Sequence, residues 1–328
     1  MSGPDVRHRL EGLEPDNLLA FLALLGLLRA LETVREEWRP RAAWDLDVPP
    51  LRPILTLVEP AAPTVVCEAA AQGVGILAAV IDFGAASDLN LLPQAARELL
   101  CRFSSGTVEP ARRYIADLCA ALISDAALDR DRTKTAPTPL AYPKVAKINF
   151  LQGLKALSQA TLPERKNRTR DPKYPKDAAK CIAQALFAPW ERLDRPAGLR
   201  WDPDEAKRHA YQWNAPTDEQ PRTQHGANRL AMIGLSGLTA VPVSAGGGVR
   251  LRVVGGEDRR DGFSFAWPIW RVPASFTAIR GLLSHPDLRK PGALDRLGVD
   301  HVRISRRISL ERYRNFGYAE PLAGPRLA

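Results

Sequence analysis

Two groups of residues in this chain have the types and spacing that bind phosphate. Lys134, Lys144 and Lys147 precede a short apolar segment, and Arg165, Lys166, Arg168, Arg170, Lys173 and Lys176 follow it, with Tyr142, Phe150 and Tyr174 interleaved. Cations along a groove neutralise a nucleic-acid backbone, and aromatic faces stack on unpaired bases. The same residues would equally suit a solvated basic surface with no partner. The second group is Arg303, Arg306 and Arg307, with Arg312 and Arg314, close to Tyr313, Phe316 and Tyr318. Arginine's planar fork favours bidentate phosphate contacts, although charge on a strand also protects a sheet edge from mispairing.

A third set surrounds Gln212-Trp213-Asn214 and Thr223-Gln224-His225-Gly226-Ala227-Asn228-Arg229. His225 beside Asn228 and Arg229 has the ingredients of acid/base chemistry, yet no Ser or Cys arrangement completes a triad. The pattern also fits polar side chains at a helix N-terminus, where backbone N–H groups attract an anion, and it fits ordinary capping with a turn at Gly226. Asp202, Asp204 and Glu205 are oxygen donors for a metal in principle, but Asp-Pro-Asp-Glu is equally a helix start, and this is the preferred reading. Cys67, Cys101, Cys119 and Cys181 contain no C-x-x-C pair, and the five histidines show no ligand spacing. No phosphate-binding glycine loop opens a helix, since Gly246-Gly247-Gly248 falls between two strand-like runs. Neither a metal nor a cofactor is expected.

These residues need elements to hold them. The 328 residues are enough for one large domain or two, with 45% hydrophobic and 25% charged residues. Charge is unevenly placed: residues 1–100 carry net −6, residues 101–328 net +15, and 129–180 alone net +8. Asn17 to Trp38 reads as a helix that is apolar nearly all round until Arg29, so it should be buried. Its uncharged run, Leu18 to Leu28, is too short for a membrane span and lacks the flanks of a secretory leader, so a cytoplasmic protein is expected. A short strand is expected at Ile54 to Val58, and helices at about 65–82, 91–103, 109–128, 150–160 and 177–187. A helix is expected from Gly226, then two strands around the Ser244 to Gly248 turn. Further expectations are a strand at 263–270, a helix at 275–285, and an alternating strand from His301 with Arg303 and other cations on its polar face. The expected organisation is a mixed α/β (α+β) protein in three portions. These are a helical acidic scaffold over 1–128, basic proline-broken loops and helices over 129–224, and a mixed portion with a basic strand over 225–328.

The opening His8-Arg9-Leu10-Glu11-Gly12 with LLAFLALLGLLRALE, the central RTQHGANRLAMIGL and the late FSFAWPIWRVPASFTAIRGLLSHPDL resemble one family. It is that of the short Cas-eight-type large subunits of type I-G (formerly I-U) CRISPR surveillance complexes (Cascade). The resemblance covers the first 40 residues and roughly 220–290. It implies a noncatalytic subunit that binds crRNA and double-stranded target DNA, helps sense the protospacer-adjacent motif, stabilises the R-loop and supports recruitment of the helicase-nuclease. Other Cascade subunits would be its protein partners, with no membrane involved. Guide pairing would carry sequence specificity while the protein grips backbone and reads a short duplex motif. The resemblance also makes Asn214, Gln224, Asn228 and Arg229 candidates for motif sensing, because side-chain amides can read base edges. Two other expectations stand beside it: a guide-RNA-processing ribonuclease using His225 or His209, and a stand-alone basic nucleic-acid-binding module.

Overall fold

The computed structural model describes residues 6–84, 86–104, 109–129, 131–141, 150–157, 177–194, 198–205, 223–245, 248–259, 262–310 and 313–322. Within them the chain is a mixed α+β fold, as its residue patterns predict. Helix α1 (Leu18–Val34) starts at Asn17, whose side chain accepts from the Leu19 and Ala20 amides. This satisfies N–H groups that the first helical turn leaves without intrahelical partners. The helix stops at Val34, earlier than expected, and a single 3-10 turn covers Glu36–Trp38. Every residue from Leu18 to Leu31 is buried, so α1 is the central rod of the core.

Two sheets and a layer of helices enclose that rod. Strands β1 (Val6–Arg9), β2 (Arg41–Asp45) and β3 (Arg52–Leu57) form an antiparallel sheet in the order β1-β3-β2. Only β3 was expected; β1 and β2, at four and five residues, are too short to read as strands alone. Helices α2 (Pro63–Ala79), α3 (Pro93–Ser104), α4 (Pro110–Leu122), α5 (Phe150–Leu157) and α6 (Ala178–Phe187) follow, near their expected positions. Helix α7 (His225–Gly234) is the principal partner of α1.

The two helices meet backbone to backbone. A Cβ on Gly26 would lie 1.7 Å from the Leu230 carbonyl oxygen, and one on Gly234 would lie 2.0 Å from that of Leu22. Only glycine permits such an approach. Strands β4 (Ala240–Ala245) and β5 (Gly248–Val253) form the expected hairpin. The larger sheet contains β6 (Gly256–Arg259), β7 (Gly262–Trp270), β8 (Val299–Leu310), β9 (Tyr313–Phe316) and β10 (Glu320–Pro321), with α8 (Phe276–Ser284) after β7. Its order is β10-β8-β7-β6, and β9 pairs with β8.

Strand β7 lies on the core. Trp267 stacks on Phe21 of α1 at 5.5 Å between ring centroids and donates its indole N–H to the Pro15 carbonyl at 3.1 Å. Trp270 donates to the Ala42 carbonyl at 2.6 Å, tying the two sheets together. Such pairing lets a large aromatic be buried without stranding its N–H. One hydrophobic cluster runs through all three portions read from the sequence, including Leu22, Leu154 and Ile233. No helix among the described residues is long and apolar enough to cross a membrane.

Candidate functional site

The polar residues around the start of α7 converge on a buried network. Asp194 and Thr223 exchange backbone hydrogen bonds of 3.1 and 2.7 Å, which places the Asp194 carboxylate against the helix N-terminus. There it accepts from the His225 backbone N–H at 2.9 Å, while Gln224, the residue in the cap position, makes no side-chain cap bond. A carboxylate at this end of a helix is stabilised by the helix dipole and satisfies an otherwise unpaired donor. Asn228, fully buried, donates to the Thr223 hydroxyl at 2.7 Å and to the Gln224 carbonyl at 3.1 Å. Its carbonyl oxygen accepts from the Leu199 amide at 3.3 Å.

Two carboxyl groups complete the network. Glu205, buried, accepts from the Thr223 hydroxyl, and its pKa is pushed up to about 7. Burial is the main cause, with Asp202 adding to it and Thr223, Arg200 and Asn228 opposing it. Asp202 is fully buried and held by the Arg192 guanidinium at 2.7 and 3.3 Å, by the Asn17 amide at 3.0 Å and by the Asp204 backbone N–H at 3.2 Å. Asn315 of β9 donates to the Asp202 and Pro203 carbonyls at 3.3 and 3.2 Å. The N-cap of α1, residues 192–194 and 198–205, the start of α7 and strand β9 are thereby locked to one another. Among the described residues no group of His, Cys, Asp or Glu is arranged to hold a metal ion.

This geometry changes the roles of several residues singled out from the sequence. Gln224, Asn228 and Arg229 are 5%, 0% and 0% exposed, so as they stand no base edge reaches them. Asn228 spends its amide on the Thr223 hydroxyl, the Gln224 carbonyl and the Leu199 amide, which ties Leu199 to the start of α7. The His225 ring is 1% exposed, shut away from any phosphodiester in this conformation. Arg229 has no hydrogen-bond partner on any of its three guanidinium nitrogens among the described residues, and burial lowers its pKa, with Cys181 opposing. Asn214 and His209 lie outside the described residues.

The cations divide in the same way. Lys134 is exposed at the end of a turn in which Asp129 accepts from the Thr133 and Lys134 amides. Lys144, Lys147, Arg165, Lys166, Arg168, Arg170, Lys173 and Lys176 lie outside the described residues. Arg303, Arg306 and Arg307 do not share one polar face. Residues directly opposite on paired strands project to the same side, and Arg303 is opposite Trp267 while Arg306 is opposite Ser264. Arg303 and Arg307 therefore lie on the side of the core aromatics. Arg307 donates to the Pro139 carbonyl at 2.9 Å and lies over the Phe263 ring at 5.2 Å, and Arg303 is half-buried, its charge disfavoured by burial. Arg306 alone of the three is exposed.

Sequence reasoning missed Arg192 and Asp194, whose partners are 10 and 31 residues away in the chain. It also missed Arg7 and Arg41 on the small sheet, because the four-residue alternation Val-Arg-His-Arg is too short to read as a strand without its partner β3. Compared with protein-family models, with curated proteins and with solved structures, the chain matches none of them.

Proposed function

We propose that this protein is a noncatalytic subunit of a CRISPR ribonucleoprotein of the Cascade type. It binds crRNA and target DNA through their backbones, contributes to sensing the protospacer-adjacent motif, stabilises the R-loop and supports recruitment of the helicase-nuclease. One observation carries the reading: net −6 over residues 1–100 is joined to net +15 over the remainder, with net +8 in residues 129–180. Charge of one sign concentrated in one part of a chain attracts a polyanion and speeds its association. The partner ion pairs in the fold consume acidic groups of the scaffold itself, as in Arg29 with Asp117 at 3.3 Å and Arg97 with Asp125 at 2.8 Å. The resemblance of the opening, central and late segments to type I-G large subunits supplies the complex in which that anion would be met.

The test is binding across a salt series with the chain carrying Lys166→Glu, Arg168→Glu, Arg170→Glu and Lys173→Glu. Each phosphate contact contributes about 0.9 to the slope of log affinity against log salt on duplex DNA. Four lost contacts should flatten that slope by roughly 3 to 4 and weaken duplex and R-loop binding. Unchanged affinity and slope would remove these residues from the interface. Purification from the native host supplies the second arm: a defined small RNA and several protein partners are expected, and a chain that emerges alone argues for a solitary module.

A further inference from the structure

The small sheet carries a cationic face that the acidic composition of its own third of the chain conceals. Strands β1, β3 and β2 bring Arg7, Thr56 and Arg41 into one cross-strand row, Arg7 and Arg41 each being directly opposite Thr56. Directly opposite residues share a face, and adjacent strands are about 4.8 Å apart, so the two arginine stems stand about 10 Å apart with a threonine between them. Both arginines are exposed, and neither has an ion-pair or side-chain hydrogen-bond partner among the described residues. The neighbouring arginines differ: Arg9 is engaged by Asp45 and Glu11, and Arg52 by Glu14 at 3.5 Å. Like charges this close, with no internal counter-ion, repel each other unless an anion is shared between them.

Beside the row the same face opens into a trough of about 560 Å³. Its lining includes Ala43 and Ile54, the next row of the sheet, with exposed Leu46 and Pro273 and with Arg271. Arg271 is half-exposed and only distantly paired, 3.7 Å from Asp300. A cation pair next to a hollow of mixed lining, with apolar Ala43, Leu46, Ile54 and Pro273 and a further guanidinium, matches a phosphate followed by a nucleobase. The flat base lies on apolar side chains or against the Arg271 plane, and the phosphate oxygens take the arginine and hydroxyl donors. An acidic peptide offers a planar ring only where an aromatic residue adjoins its carboxylates, whereas every nucleotide carries a flat base beside its phosphate, and in a duplex the bases are paired and stacked away from the hollow. Two carboxylates in the lining oppose an anion: Asp45, which is neutralised by its ion pair with Arg9, and Asp47, which is exposed.

We propose that the outer face of the β1-β3-β2 sheet is a single-stranded nucleic-acid contact, with one phosphate clamped by Arg7 and Arg41 over Thr56 and the adjoining base in the trough. The proposal rests on the reading of the chain as a nucleic-acid-binding protein and places a contact in its net-acidic first third.

The test uses the full chain and 5′-fluorescein-labelled 15-nucleotide single-stranded RNA and DNA, with a 15-base-pair duplex of the same sequence, followed by anisotropy over a salt series. The double variant Arg7→Gln/Arg41→Gln should bind the single strands at least tenfold more weakly. The salt slope should be shallower by about 1.4, since each single-strand phosphate contact contributes about 0.7. Duplex affinity should change less, and Asp47→Asn should tighten the single-strand complex. All three side chains are exposed, so the melting temperature should stay near that of the parent, which confirms that folding is not at issue. If the parent binds and the double variant binds equally with the same slope, this contact is overturned while the broader reading stands. If the parent binds none of the three, the broader reading fails and takes the contact with it. Displacement of the oligonucleotide by a poly-glutamate peptide at equal charge concentration would assign the surface to an acidic protein segment instead.

Discussion

Glu205 holds its proton to about pH 7 in the folded protein, against an ordinary value of 4.5. Between those two pH values the unfolded chain releases a proton that the native state retains, so stability from this group falls as pH rises through that window and levels off above it. Glu205→Gln mimics the protonated carboxyl. Its stabilising effect relative to the parent should be small near pH 4.5 and grow to as much as about 3 kcal/mol by pH 8, measured by urea unfolding at each pH. A pH-independent difference would mean that the carboxyl does not titrate in this range. Arg229 makes the opposite case, a buried cation with no described partner. Replacing such a charge with an apolar group of similar length removes a desolvation penalty, so Arg229→Met should leave stability unchanged or raise it by about 1–3 kcal/mol. Marked destabilisation would show that an anion does pair with it.

At the level of elements, the contact of α1 with α7 depends on missing side chains. Gly26→Ala or Gly234→Ala would drive a methyl group into a backbone carbonyl, and each should destabilise by about 3 kcal/mol or more, at the upper end of overpacking costs. Gly75 in α2 and Gly281 in α8 are the controls, since a Cβ there meets nothing within 4 Å. Alanine at either should stabilise by about 0.5–1 kcal/mol through helix propensity alone. Thermal unfolding of the four single variants separates the two pairs, and equal effects would mean that the helices can move apart. The periodicity and caps of these elements were readable: α6, α8 and the β4-β5 hairpin stand where patterns of apolar residues and turn glycines put them. Strands β1 and β2 were not readable, because four or five residues of mixed polarity become a strand only when β3 supplies their hydrogen bonds. The arginines of β8 misled for a related reason. Alternation separates Arg303 from Arg306 correctly, but which side faces the core is set by β7 alongside.

Across the whole molecule, α1 in the first third is covered by α7 from the last third, and Asn17 is tied to Asp202 across 185 residues. A helix apolar on all sides cannot remain folded with one side bare, since the lost burial is worth roughly 25 cal/mol per Å². The fragment 1–128 alone should therefore show no cooperative thermal transition, and co-expression with 129–328 should restore one. A sharp transition for the isolated fragment would make it an independent domain. The candidate site divides along the same line. The charge imbalance is a property of residue types and is legible in the amino-acid sequence itself. The burial of Asn228 and Arg229 was not, because a polar residue before a helix has the same spelling whether it faces solvent or a closed network.

The amino-acid order by itself determined that α1 is a core helix, that the fold mixes helices with short strands, and that net positive charge gathers beyond residue 100. Each of these follows from local propensity, hydrophobic pattern or composition, which do not depend on distant partners. Tertiary structure alone decided which cations remain available. It sent Arg307 to a backbone carbonyl and an aromatic ring, closed Asn228 and Glu205 into a buried network, and left Arg7 and Arg41 facing each other across Thr56 on an open sheet face. Electrostatic and hydrogen-bond partners are settled by distances of a few ångströms, and those distances join segments that lie far apart in the chain.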